Sequence, residues 1–327
     1  MPSIGIYHGD EDWVLKGIGQ DLARSFKALS VPGLEIQTTD QVFNKIRLKT
    51  DFHLFVQQGQ LNENCSNNPE KVPEGSICLF THLDIRNFKP RILHKCKYVI
   101  FNSSIQLSQA IANGYNPVNA VLKPHAVDPD LHRIISEDDP KMQFVLSDLH
   151  KKGYPHSMHS SVGFCGRYWD KSTYTRRKNY DLIKLVICDL LDKRIPVLVM
   201  GPGWKDFLEL SSEYLVVVET KYKNYPYYYN LMRVFSSLSI HEGGPLPLLE
   251  SMCCGVYPVV TNTGFASDII SDKQHGTIVS PFDKPAHQAG LLSDVYFTHR
   301  IDAEALRGRA SKFSFSSLSK VILRLVL

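Results

Sequence analysis

Short apolar runs alternate with helical stretches along most of the chain, and this rhythm limits the fold more than any other feature. Candidate strands cover residues 4–8, 52–57, 77–81, 98–102 and 120–123 in the first half. In the second half they cover 162–165, 197–200, 215–218, 238–240, 256–260 and 277–279. Helical patterns run through 14–29, 105–113, 180–192, 227–235, 246–254 and 266–270. Most strands are apolar throughout instead of alternating, as expected where helices cover both faces of a parallel sheet. Between the halves, 128–160 is polar and rich in turn formers, with E-D-D-P at 137–140. It reads as a linker or hinge with room for a short helix over 141–149. A length of 327 residues suits two domains. The expectation is an α/β protein with Rossmann-like, doubly wound domains at 1–150 and 151–310, and a C-terminal helix at 311–327 that packs back on the first.

Hydrophobic residues at 43% and charged residues at 21% suffice for a full core. The net charge of +4 is too small to argue for nucleic acid. It is compatible with an anionic ligand or with peripheral contact to an acidic membrane surface. Seven cysteines occur without a C-x2-C pair, which reads as reduced thiols and no metal framework. No apolar run reaches the ~18 residues that span a bilayer, and M-P-S-I-G-I lacks the basic start of a signal peptide. A cytoplasmic protein, at most peripheral to a membrane, is therefore expected.

The stretch 239–260, S-I-H-E-G-G-P-L-P-L-L-E-S-M-C-C-G-V-Y-P-V-V, carries the most chemical information. A strand leads to Glu242, two glycines follow, and Pro245 suits the first position of a helix, where a missing N–H costs nothing. Gly255 is suited to end that helix. The helix N-terminus beside Glu242 is a setting that holds anions, and Glu250 falls within about two turns of its start. One acid at the mouth and one further down suit a ligand with phosphate in the middle and hydroxyls at both ends. A nucleotide sugar has that shape. The plain alternative is a glycine loop with two solvated glutamates.

This segment resembles the E-x7-E signature of the retaining glycosyltransferases of family 4, in the variant where E-G-x-P replaces E-G-F-G. The resemblance implies that Glu242 meets the donor sugar. It gives the backbone of Gly243, Gly244 and Leu246 to the sugar and phosphate, and Glu250 to the ribose hydroxyls. Pro245 offers no N–H to such a contact. Upstream, V-G-F-C-G-R-Y-W-D and then R-R-K-N-Y-D-L-I resemble the family's G-R strand end and K-G-x-D-x-L-I. That implies a clamp on the donor diphosphate by Arg167 and Lys178, cations that would neutralise charge as the glycosidic bond breaks. Asn179 stands where glycine is usual. The loop holding Thr173, Tyr174 and Thr175 is longer than usual, so Arg176 or Arg177 could take the role of Lys178. Alternatively, T-R-R-K is a solvated basic loop.

M-G-P-G-W at 200–204 resembles the family's G-x-G turn, making Gly201 and Gly203 candidates for the donor pocket. Tyr222, Tyr225, Tyr227, Tyr228 and Tyr229 lie at or beyond the segment that relatives place around the base; they could stack on it or pack a helix against the sheet. K-G-I-G at 16–19 fails as a dinucleotide fingerprint, because the third glycine is missing. The family carries a glycine-bearing acceptor loop near there, so Gly17 and Gly19 are candidates for it. F-T-H-L-D at 80–84 offers His82 as the match to a histidine that relatives place near the reacting sugar. F-N-S-S at 101–104, V-L-K-P-H-A-V-D-P-D-L-H at 121–132 and F-S-F-S-S-L at 313–318 resemble the family's N-S, P-N-G-V-D-x-x-x-F and F-S-W segments. His125 and Ala126 replace Asn-Gly.

The resemblance implies the GT-B architecture, with two domains facing across a cleft, donor in the C-terminal one and acceptor mainly in the N-terminal one. The implied reaction moves a sugar, with retention, from a nucleoside-diphosphate sugar to a hydroxyl of a glycan, glycolipid or small molecule. Front-face attack is the route the family implies, and a double displacement through Glu242 stays open. Glu242, Arg167, Lys178 and His82 form the expected catalytic set. No metal or cofactor beyond the co-substrate is expected. A non-catalytic nucleotide-sugar-binding protein is the first alternative, but it would have no use for the cations and Glu242 together. A nicotinamide oxidoreductase would need the glycine fingerprint that is missing.

Overall fold

The computed structural model describes residues 2–8, 14–40, 48–81, 88–124, 126–170 and 176–327. The chain forms two compact units, Met1–Ala126 with Phe313–Leu327, and Val127–Lys312. The composition of the sequence puts the boundary near 150, whereas the helix Pro140–Lys151 belongs to the second unit. Its buried stripe of Met142, Val145, Leu146 and Leu149 has the i, i+3, i+4, i+7 spacing of a packed helix rather than a linker. The segment 313–327 belongs to the first unit, where helix Phe315–Val326 packs on helix Val14–Ala28.

In the first unit, β1 (Ser3–Tyr7), β2 (Glu35–Thr39), β3 (Phe52–Phe55), β4 (Ser76–Phe80), β5 (Tyr98–Phe101) and β6 (Ala120–Leu122) form a sheet ordered β2-β1-β3-β4-β5-β6. Every pairing is parallel. Strands β1 and β4 are buried along their whole length, which is why they read as unbroken apolar runs. Strand β2, E-I-Q-T-T, is not among the strands expected from sequence. It is a polar, half-exposed edge strand without the run or alternation that marks one.

In the second unit, β7 (Ser161–Cys165), β8 (Val197–Met200), β9 (Leu215–Val218), β10 (Met232–Ser237), β11 (Tyr257–Thr261) and β12 (Thr277–Val279) form a parallel sheet ordered β12-β11-β10-β7-β8-β9. Strand order reverses between β7 and β10. Such a switch point opens a crevice at the strands' carboxyl ends, where doubly wound sheets bind ligands.

One region departs from its sequence pattern. The expected helix over 227–235 and strand over 238–240 are in fact a short helix, Tyr225–Tyr229, followed by β10. Residues 229–235 carry apolar side chains at spacings that suit either structure, and β10 is buried on both faces, so periodicity could not separate the two. The correction moves Glu242 off the strand end and into the loop beyond it.

Candidate functional site

The loop that leaves β10 is built by its neighbours. Thr261, the last residue of β11, donates to the carbonyls of Ser239 at 2.6 Å and Ser237 at 3.3 Å. Thr263 accepts the Glu242 N–H at 2.7 Å. Gly264 has φ +56°, and a Cβ there would lie 2.9 Å from Gly244 Cα, so the two glycine loops touch backbone to backbone. On the other side, the Arg177 carbonyl accepts from the N–H groups of Ile240 and His241 at 2.9 and 3.2 Å. Asn179 donates to the carbonyls of Leu238 and Pro281. Its φ of +60° explains why Asn fits where the resembled pattern has glycine, since both tolerate the left-handed region.

This stitching brings Lys178 onto Glu242. The ammonium donates to Oε1 at 2.5 Å, and Ser239 Oγ donates to the same oxygen at 2.8 Å. Burial of Glu242 pushes its pKa up, but Lys178, Arg177 and Ser239 together hold it below the ordinary carboxylate value. Of the three neighbouring cations of the basic loop, Lys178 is therefore the one in contact. Arg177 acts on Glu242 through its field, and Arg176 is exposed.

Arg167 lies past the end of β7, as expected, and its guanidinium stands over the Trp169 ring at 5.4 Å. Its carbonyl accepts the Tyr180 hydroxyl at 2.5 Å. Gly201 and Gly203 adopt φ +124° and +84° in the turn after β8. A Cβ on Gly201 would come within 2.0 Å of the Gly166 carbonyl, so the turn exists to let the ends of β7 and β8 approach. The helix that follows the Glu242 loop spans Leu246–Cys253, with Pro245 as N-cap rather than as first residue. Pro247 also lacks an N–H, and the Leu248 amide is taken by the Pro245 carbonyl at 2.8 Å.

Glu250 is buried on that helix, in surroundings that the sequence does not announce. Tyr222 donates to Oε1 and Tyr229 to Oε2, each at 2.7 Å. His132 Nε2 lies 4.0 Å from Oε2. Burial, then the Glu250 charge, raises the pKa of Tyr222. Burial leads for Tyr229 also, so both phenols stay protonated donors. Two tyrosines of the cluster, Tyr222 and Tyr229, thus clamp a carboxylate, a role expected from neither base stacking nor helix packing. Sequence reasoning also misses Ser239, Thr263, Gly264 and His132. The available signals are T-N-T-G, which begins at the last residue of β11, and a His at the last place of the P-N-G-V-D-x-x-x-F pattern, where phenylalanine is usual.

Gly17 and Gly19 lie inside the helix Val14–Ala28, which matches the helical pattern expected over 14–29. A Cβ on Gly19 would meet the His8 Cβ at 2.5 Å, so this glycine lets the helix sit close on β1. His82, His125 and Thr173 to Thr175 lie outside the described residues. Among the described residues no group of three or more His, Cys, Asp or Glu is arranged to hold a metal ion, and no helix is long and apolar enough to cross a membrane.

Residues 171–306 match the family model of glycosyl transferases group 1. O-antigen chain mannosyltransferase B of Escherichia coli is 32% identical over 134 residues, which cover 38% of this chain and 34% of that protein. The chain thus spans about a third of the length of this curated relative. HepE of Anabaena, solved with UDP and glucose, superposes with a TM-score of 0.71 at 13% identity over 99% of each chain. Sucrose-phosphate synthase of Thermosynechococcus elongatus gives 0.72 at 13% identity, over 99% of this chain and 98% of its own. The fold is accordingly the two-domain α/β fold of the GT-B proteins, and the matched segment carries both glutamates and Lys178.

Proposed function

We propose that the protein is a glycosyltransferase that moves a sugar, with retention, from a nucleoside-diphosphate sugar to an acceptor hydroxyl on a glycan or glycolipid. The observation that carries this reading is the Lys178–Glu242 contact at the switch point of the second sheet, with Glu250 farther along the helix that follows. A carboxylate beside an ammonium and a helix N-terminus offers partners for a sugar hydroxyl and a departing diphosphate at once. Retention and metal independence are parts of the proposal. Protein cations and the helix N-terminus would carry the leaving group's charge. Acceptor and donor classes follow the relatives, an O-antigen mannosyltransferase and a structure holding UDP and glucose.

Incubation with nucleoside-diphosphate mannose, glucose and galactose tests it. Slow release of nucleoside diphosphate, with the new bond's anomeric configuration read by NMR, is expected to show transfer with retention. Glu250→Ala should weaken binding of the free nucleoside diphosphate by roughly 1.5–3 kcal/mol, the range for hydrogen bonds to a charged group. Glu242→Ala should spare that binding and lose turnover. Equal nucleotide binding by both variants and the parent would sink the ribose assignment, and an inverted product would sink retention.

A further inference from the structure

Glu250 is covered as it stands. Its residue is only 4% exposed, and each carboxylate oxygen already accepts a tyrosine hydroxyl. Beside it, His132 is completely buried, and among the described residues neither ring nitrogen has a hydrogen-bond partner. Burying a polar ring without partners costs free energy, so the position of His132 calls for an explanation. The His132 ring lies against Tyr222, 5.4 Å between centroids, and against Tyr229 at 6.0 Å.

Of these four residues Tyr222 alone is exposed, at 51%. It stands on the single 3-10 turn Tyr222–Asn224, whereas Tyr229 is buried at the end of a helix. We propose that Tyr222 is a displaceable cover over a nucleoside subsite built from Glu250 and His132, its hydroxyl holding the place that a ligand hydroxyl takes. This rests on the proposed function and deepens it. On binding, Tyr222 turns outward and a ribose hydroxyl replaces its O–H on Oε1. Tyr229 stays on Oε2, because each carboxylate oxygen can accept more than one hydrogen bond. The uncovered edge of His132 then gains the partner it lacks. Because the empty site must break one hydrogen bond to open, affinity falls in proportion to the stability of the covered state.

Calorimetric titration of UDP, GDP and ADP into the wild type and four variants tests this. Tyr222→Phe loses a bond that exists only in the covered state, so the nucleotide that binds the wild type should bind this variant about tenfold tighter. Tyr229→Phe removes a bond present in both states and should change affinity less than about threefold. His132→Phe should weaken binding about tenfold, and His132→Gln, which restores a hydrogen-bonding group, should recover part of that loss. Tyr222→Phe binding no tighter than the wild type, while Glu250→Ala still weakens binding, would overturn the cover and leave the glycosyltransferase reading intact. Equal affinity of His132→Phe and the wild type would overturn the subsite. Failure of the wild type to bind any of the three nucleotides would remove the glycosyltransferase reading and the cover with it.

Discussion

Lys178 Nζ lies 2.5 Å from Glu242 Oε1, and the two side chains are 27% and 9% exposed. A pair this enclosed is costly to break from one side, because the remaining charge keeps its desolvation penalty without its partner. The contact therefore bears on stability as well as on catalysis. Lys178→Ala should destabilise the second unit by about 2 kcal/mol, below the roughly 3–5 typical of fully buried pairs because the ammonium still reaches water. Adding Glu242→Gln should return most of that stability while leaving the protein inactive. Thermal unfolding of the two single variants and the double variant measures the coupling, and additive losses would show that the contact is not energetically real.

Turnover should separate the cations. Lys178→Ala and Arg167→Ala should each lower it roughly 10²–10³-fold, the scale for removing one preorganised electrostatic donor. Donor affinity should fall by less, since stabilisation confined to the transition state acts on turnover. Arg176→Ala, on an exposed side chain, should be nearly silent. Arg177→Ala keeps the carbonyl that holds Ile240 and His241 but removes a charge that lowers the Glu242 pKa, so its effect should be intermediate. Silence at all four positions would remove the clamp.

Chelation bears on the same point. If Arg167, Lys178 and the helix N-terminus carry the leaving group's charge, turnover should survive EDTA and gain nothing from added Mg²⁺ or Mn²⁺. Loss in chelator with recovery on adding a divalent ion would place a metal in the reaction.

Buried parallel strands made the fold legible: β7, β8 and β11 announce themselves as short apolar runs because both faces are covered. The same property hid β10, whose buried run follows Y-P-Y-Y-Y and fits a helix as well. Edge strand β2 was lost for the opposite reason, having too little burial to need apolar residues. At the site, Glu242 and Glu250 stood out because their spacing is local to one loop and helix, and Lys178 because its segment resembles a known motif, with Arg176 and Arg177 left as alternatives. Thr263 and His132 did not, because what matters about them is which distant residue they touch, and Ser239, three residues before Glu242, belongs to no motif. The contacts joining Tyr222 and Tyr229 to Glu250 span 28 and 21 residues, and no local pattern encodes that.

Two helical glycines should respond in opposite directions. A Cβ added at Gly17 would meet no described atom within 4 Å, so Gly17→Ala should stabilise the first unit by about 0.5–1 kcal/mol through helix propensity. Gly19→Ala should destabilise it by about 1–3 kcal/mol, because the added carbon meets His8. Denaturant unfolding compares them. A Gly17→Ala variant that is stable yet loses transfer to acceptor would return Gly17 to the acceptor site.

Acid should weaken the second unit through His156. The ring is buried, with Nε2 3.3 Å from the Val197 carbonyl and Nδ1 without a hydrogen-bond partner among the described residues. Burial lowers its pKa from 6.5 to about 4, against the opposing pull of the Val197 bond. The folded state thus resists a proton that the unfolded chain accepts below pH 6.5. The unfolded state binds more protons across that window, so stability present above pH 6.5 is lost as pH falls toward 4. At ~1.4 kcal/mol per pH unit the loss amounts to about 3 kcal/mol. His159, also lowered chiefly by burial, adds to it with the same sign. Melting curves followed by tryptophan fluorescence between about pH 7 and 4 should therefore slope less for His156→Gln than for the wild type, with the two converging toward the acid end. Parallel slopes would show that His156 does not drive the acid sensitivity.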